Sequence, residues 1–280
     1  MTRGLSTIIG ALAMIAFISA CAPNTQRPSA DPAQKTFVSL NPCLDAILVE
    51  VAEAEQVLAI SHYSHQPGGS RMAPELAAQF AFTGGTAEEI IALQPDIVLA
   101  SIFLPPATKS ALERAGLEIE TFDIPRSVDV SVQQVRRMGQ LVGNPEAAQA
   151  LNTRIAAPRL EPPYKRPDPS VLLWQAGQIT AGQKTLISRL IKDASFTSHS
   201  EALGLGQGDY VSLEQVVSDP PDLLLVAGQS AGQQHPALAM LEGTRVHAFD
   251  PSLFYCGGPS IADARAELRA LRQSFEGRRE

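Results

Sequence analysis

The chain has 280 residues, 45% of them hydrophobic and 18% charged, with a formal net charge of −7. That apolar content excludes intrinsic disorder, and the length suffices for two lobes of ordinary domain size, each with its own core. The acidic balance and the lack of a basic stripe argue against nucleic acid as a partner.

Arg3 precedes an apolar segment from Ile8 to Ile18 that is short for a membrane span, and small residues then lead to Cys21 in the string ISAC. Charge, apolar run and cysteine stand in the order of a bacterial lipoprotein signal. Residues 1–20 are therefore expected to be removed and the thiol of Cys21 lipidated, leaving the protein anchored by lipid to a membrane and facing the periplasm; an ordinary signal peptide would also export it. Two cysteines then remain, Cys43 and Cys256. In an oxidising compartment they either form one bridge or stay as separate thiols, because sequence supplies no distance between them.

Residues 21–35, rich in Pro, Asn, Ser and Asp, read as a flexible tether. Thr36 to Leu40 is a strand, Asn41-Pro42 turns the chain into a helix from Leu44 to about Ala54, and Val57 to Ile60 is the next strand. The loop Ser61 to Arg71 mixes imidazole, aromatic and polar groups, the composition of a ligand-contacting loop at a strand end. Glu88 to Ser101 reads as a short helix with an acidic first turn, a Pro-Asp stop at Pro95-Asp96 and a buried parallel strand. The same unit returns at Glu214 to Ala227, with Pro221-Asp222 as its stop; a repeat at this distance predicts two similarly built lobes rather than a solenoid.

Between the copies, Ala107 to Ala115 is a helix, Leu117 to Phe122 a strand and Val130 to Val142 an amphipathic helix. Pro145 opens a further helix that is read as the connection between lobes, and the prolines from Pro158 to Pro169 form a stiff linker. The second lobe continues with a strand at Val171 to Trp174, a Gly-rich loop and a helix from Leu186 to Ala194. After the second unit come a helix from Pro236 to Leu241, a strand from Arg245 to Phe249 and a terminal helix from Ile261 to about Phe275. The alternation of strand and helix predicts an α/β fold with mostly parallel sheets, divided into residues 36–144, a connecting helix at 145–157, and residues 158–280.

The opening VSLNPCLDAI, the twice-used E-x-x-x-x-x-x-P-D unit, the TAG at Thr180 to Gly182 and the CGGP at Cys256 to Pro259, in this order, resemble the periplasmic substrate-binding proteins of ABC importers for cobalamin, iron siderophores and haem. The likeness runs from Thr36 to Phe275. It implies two α/β lobes joined by one long helix, a ligand held in the cleft between them, no enzymatic activity, and no cofactor beyond the cobalt or iron that the ligand itself contains. It also implies a monomer that delivers its metal chelate to an ABC permease and its ATPase. The expected cleft lining is Asn41, Pro42, Cys43, His62, Tyr63, His65 and Phe103 from the first lobe, with Trp174, Gln175, Thr180, Phe254, Tyr255 and Cys256 from the second. Trp174 fits the core equally well. In the family, an acid on each lobe docks into arginine pockets of the permease; these fall on Glu88 and Glu214, which otherwise read as favourable charges at helix N-termini.

Other motifs compete. Gly228 to Gly232 spells G-x-S-x-G, which would make Ser230 the nucleophile of an exported hydrolase, but Pro236 delays the helix an elbow requires and His247 precedes Asp250. GQITAGQKT at Gly177 to Thr185 misses a phosphate-binding loop because Gln183 separates the second Gly from Lys184. His62 and His65, three apart, would suit a metal-ion receptor, although no carboxylate accompanies them in that stretch.

Overall fold

The computed structural model describes residues 34–156 and 164–277. The signal segment 1–20, Cys21, nearly all of the tether, residue 157 and the first half of the proline-rich linker lie outside the described residues.

In the first lobe β1 (Phe37–Ser39), β2 (Val57–Ser61), β3 (Phe82–Thr83), β4 (Ile97–Ser101) and β5 (Glu118–Phe122) form one sheet in the order β3-β2-β1-β4-β5, every pair parallel. The crossovers are α1 (Pro42–Val51), α2 (Pro74–Ala77), α3 (Ala87–Leu93) and α4 (Pro106–Arg114). The second lobe holds β6 (Ser170–Gln175), β7 (Ile179–Thr180), β8 (Thr197–Ser198), β9 (Leu223–Ala227) and β10 (Arg245–Ala248). Its order is β10-β9-β6-β7, with β8 also on β6; only β7 runs antiparallel. Its helices are α7 (Leu186–Asp193), α8 (His199–Ala202), α9 (Leu213–Ser218) and α10 (Ser260–Glu276), once α5 (Val128–Val142) and α6 (Pro145–Ile155) have carried the chain across.

The connection is thus a pair of antiparallel-packed helices, of which the segment beginning at Pro145 is the second. Both touch the second lobe: the Ser131 hydroxyl on α5 accepts from the Gly258 amide at 2.7 Å, and Arg265 on α10 donates to the Ile155 carbonyl at the end of α6. The CGGP motif has its reason here. A Cβ on Gly257 would come within 2.6 Å of the Ser131 hydroxyl, and one on Gly258, whose φ is +68°, within 2.6 Å of Ile47 on α1. Only glycine permits that approach.

The central strands β1, β2, β4, β6 and β9 are short, mostly apolar and buried because helices cover both faces of each sheet there, whereas the edge strands β5 and β10 carry charged and half-exposed residues. The repeated unit does the same work twice. Asp96 Oδ2 accepts from the amide and hydroxyl of Thr36, at 2.7 and 2.8 Å, tying the entry of β4 to the entry of β1. Asp222 Oδ2 accepts from the amide and hydroxyl of Ser170 at 2.7 and 2.8 Å, tying β9 to β6 in the same way. Behind each lock lies a small core: Val38, Ile90, Val98 and Leu112 in the first lobe, Leu172, Trp174, Val211, Val216 and Leu224 in the second. Among the described residues no helix is long and apolar enough to cross a membrane.

Candidate functional site

The carboxyl ends of the parallel strands in the two sheets face one another, which in α/β folds is where ligands bind. At the floor of this cleft α1 begins. Asn41 caps it, its Oδ1 accepting from the amides of Cys43 at 2.9 Å and Leu44 at 3.3 Å, and Pro42 fills the first helical position where no amide is needed. That cap aims Cys43 at the second lobe, where it is bridged to Cys256 with the Cα atoms 5.1 Å apart. Of the two alternatives left open by the sequence, the bridge is the one the structure holds, and it joins lobe to lobe.

On one side of the bridge is a cavity of about 240 Å³. Phe103 from the first lobe faces Gln175, Thr180, Phe254, Tyr255 and Cys256 from the second across it. Phe103 is 68% exposed and Tyr255 55% exposed, unusual for rings of this size, and Phe254 and Tyr255 lie against each other with centroids 4.3 Å apart. Thr180 is buried, its hydroxyl donating to the Leu173 carbonyl at 3.1 Å. A smaller cavity of about 40 Å³ beneath it is lined by Asn41, Cys43 and Tyr255. Sequence reasoning missed Asp123, Ile124 and Arg126 in the loop after β5, and Lys184 before α7, all of which line the larger cavity. The rule that singled out Ser61 to Arg71, a polar loop at the carboxyl end of a strand, would also have singled out Asp123 to Arg126.

On the other side of the bridge the loop after β2 crosses toward the second lobe. Its first residues form a short 3₁₀ turn, His62–His65. The His62 ring lies 4.0 Å from that of Tyr63, with Nδ1 at 3.3 Å from the Thr83 carbonyl, while His65 packs against the exposed Phe82 at 4.9 Å. The two imidazoles therefore face different neighbours. Beyond the turn, Arg71 donates through Nε to Asp263 at 2.6 Å and through Nη1 to Asp250 at 3.4 Å, closing that end ionically over a cavity of about 540 Å³ that His65 and Ser252 help to line.

One expected lining residue is corrected. Trp174 is 0% exposed, and its indole N–H donates to the Val211 carbonyl at 2.8 Å; alternation along β6 turns it away from the cleft while its neighbour Gln175 faces in. Pro42 sits inside the first turn of α1 and, like His62 and Tyr63, is not in the walls of either cavity beside the bridge. Ser230 does not stand in a nucleophile elbow either. Its hydroxyl donates to Gln233 Oε1 at 2.9 Å and a 3₁₀ turn follows, while His247 pairs with Glu267 and His235 accepts from the Ala237 amide.

Glu88 and Glu214 occupy the same position, the second residue of α3 and of α9, and both are exposed. The residue after each is tied back: Glu89 accepts from the Thr83 hydroxyl and the Gly84 amide, both at 2.8 Å, and Gln215 accepts from the Ser212 amide at 2.8 Å. Its own amide and the Ser212 hydroxyl hold the Glu214 carboxyl below the ordinary range, so it stays charged in mild acid.

A family model described as periplasmic binding protein matches residues 37–242. A cobalamin-binding protein of Halobacterium salinarum is 28% identical over 210 residues, 72% of this chain and 56% of that protein, so the match spans little more than half of that relative's length. A vitamin B12-binding protein of Vibrio campbellii is 26% identical over 204 residues, covering 70% of this chain and 71% of its own. Among solved structures, a periplasmic haem-binding protein from Roseiflexus sp. RS-1 in apo form superposes with a TM-score of 0.67 at 23% identity, covering 87% of this chain and 98% of its own. The periplasmic vitamin B12-binding protein of Vibrio cholerae gives 0.67 at 19% identity, covering 88% and 99%. At these identities the structures speak for the fold.

Proposed function

The chain belongs to the periplasmic binding protein family, a family of binders rather than enzymes, and from that premise we propose that it captures a metal chelate of the corrinoid, haem or ferric-siderophore kind and delivers it to an ABC permease. The observation that carries this reading is the cleft itself: two facing sets of strand ends, bridged at the floor by Cys43–Cys256, with Phe103 and Tyr255 exposed across the cavity beside the bridge. Exposed rings give a large flat ligand contact area at low entropic cost, and Gln175, Asp123, Arg126 and Lys184 supply the few polar contacts that would orient it.

Delivery rests on Glu88 and Glu214. Two fixed negative points, one on each lobe, define how the loaded protein sits on a permease carrying complementary cations, and contribute to register and encounter rate more than to affinity. Lipidation at Cys21 would keep the protein at the membrane where that permease and its ATPase reside.

The test is calorimetric titration of the mature protein with cyanocobalamin, haemin and a ferric hydroxamate siderophore. One of the three should bind at one to one, and affinity should fall at least tenfold in Phe103→Ala with Tyr255→Ala. Heat changes absent for all three would remove the metal-chelate reading.

A further inference from the structure

Among the described residues, Asp45 is the one carboxyl that is completely buried, and it stands at the root of the first-lobe wall. It lies in the first turn of α1, two residues after the bridged Cys43. Its Oδ2 accepts from the Ser61 amide at 3.0 Å and from the Ser64 hydroxyl at 2.6 Å; its Oδ1 has no hydrogen-bond partner. Ser61 ends β2 and Ser64 is part of the His62–His65 turn, so this one carboxyl fastens to α1 the turn that presents His62, Tyr63 and His65.

Among the described residues no charged side chain contacts Asp45. On α1 the other acid is Glu50, paired with Arg154; β1 and β2 carry no titratable side chain. The turn brings His62, Tyr63 and His65, the loop beyond it Arg71, bound to Asp250 and Asp263, and α2 brings Glu75. On α5 and α6, both packed against α1, stand Asp129, Arg136 and Arg137, the last paired with Glu120, and Glu146 and Arg154, the last paired with Glu50. The groups of Ser39, Ser61 and Ser64 around Asp45 are all neutral, so an ionised carboxylate there would have polar contacts without a counter-charge.

We propose that Asp45 is a positioning residue whose proton controls the first-lobe wall: protonated, it seats the His62–His65 turn on α1; ionised, it lifts the turn so that water can reach the carboxylate. Burial is the physical cause, raising the carboxyl from 3.8 to about 7 against the opposing Ser39, Ser64 and Ser61 contacts. In the lifted form the group returns to an ordinary carboxylate value of about 4. The seated form is therefore most favoured in acid and loses ground as pH rises toward about 7, by at most about tenfold per pH unit, then levels off. Joined to the reading of the cleft as a ligand site, on which this second step rests, the same proton makes capture stronger in mild acid than in mild base.

The experiment is hydrogen exchange at the amides of residues 61–65 in the intact protein from pH 5 to 8, corrected for the chemical exchange rate. The opening constant of the wild type should climb up to about tenfold per unit to pH 7 and then flatten, and in Asp45→Asn, neutral and of the same shape, it should not change with pH. Ser64→Ala, which spares the carboxyl, should open more at every pH yet keep the slope, and it serves if Asp45→Asn fails to fold. A level wild-type profile overturns the proposal. Cyanocobalamin affinity, measured alongside, should fall as opening rises; affinity that stays level while exchange slopes overturns the link to capture. A sloping profile in a protein that binds no cyanocobalamin supports Asp45 as the switch and counts against the corrinoid reading alone.

Discussion

The two copies of the helix-strand unit agree down to single hydrogen bonds and part company at the next layer. Asp96 and Asp222 grip Thr36 and Ser170 with the same pair of donors at the same distances. Val38, Ile90 and Val98 answer to Leu172, Val216 and Leu224 beneath them. Yet the first lobe fills the rest of that small core with aliphatic Leu58, Ala59 and Leu112, whereas the second includes Trp174, whose indole N–H donates to Val211. Their cleft walls differ more: one hangs from a buried acid, the other from a β-strand and the bridged loop. A repeated frame, it follows, holds two unlike faces at fixed positions, which is how one fold serves many ligands.

The comparison can be broken most forcefully in the small cores. Trp174→Ala should cost about 3–5 kcal/mol and Leu112→Ala about 2–5 kcal/mol in urea denaturation. Trp174→Phe, which keeps most of the volume and loses the bond to Val211, should cost only about 1 kcal/mol beyond its smaller ring. A negligible loss for Trp174→Ala would mean that the second lobe does not depend on its indole.

Next come the locks. Asp96→Ala and Asp222→Ala should each cost about 1–2 kcal/mol, the exposure of both sites holding their charge-assisted bonds to the low end, and the two losses should match. The Thr36 amide, and then its hydroxyl, hold the Asp96 carboxyl below its ordinary value. Its contribution is thus present above the ordinary carboxylate pKa and lost as pH falls through the depressed one, so the gap between wild type and Asp96→Ala should close in acid denaturation. Unequal losses at neutral pH would show that the two units are alike in form only.

The smallest effect on stability belongs to the acids at the helix starts. Glu88→Lys and Glu214→Lys should each leave the urea midpoint and the ligand affinity unchanged, as expected for exposed surface positions, while the double reversal abolishes uptake in cells. Normal uptake by the double variant would remove the docking assignment.

The frame was legible because its signals are local and periodic. The acidic turn, the Pro-Asp stop and the apolar run announce α3–β4 and α9–β9, and the amphipathic stretches announce α5, α7 and α10. Strands β3, β7 and β8, two residues each, were not legible: pairing defines them, and two residues carry no period. Trp174 shows in sequence as a ring near a strand end, but which side of the sheet it takes depends on a register of one residue. Asp45 went unnoticed because an acid in a first helical turn reads as an ordinary favourable charge. The available signal was its setting, Leu44 before it and Ala46-Ile47-Leu48 after it, in a helix apolar nearly all round.

The bridge between Cys43 and Cys256 has a geometric consequence of its own. The lobes are joined covalently in two ways, by the chain passing through the α5–α6 pair and by that bond, and two such ties determine a line. Rotation about this line remains open to the lobes, while sliding apart and twisting across it are obstructed. Rocking about that line would stretch the non-covalent contacts between the lobes, Arg71 with Asp250 and Asp263 on one side and Arg189 with the Arg126 carbonyl on the other.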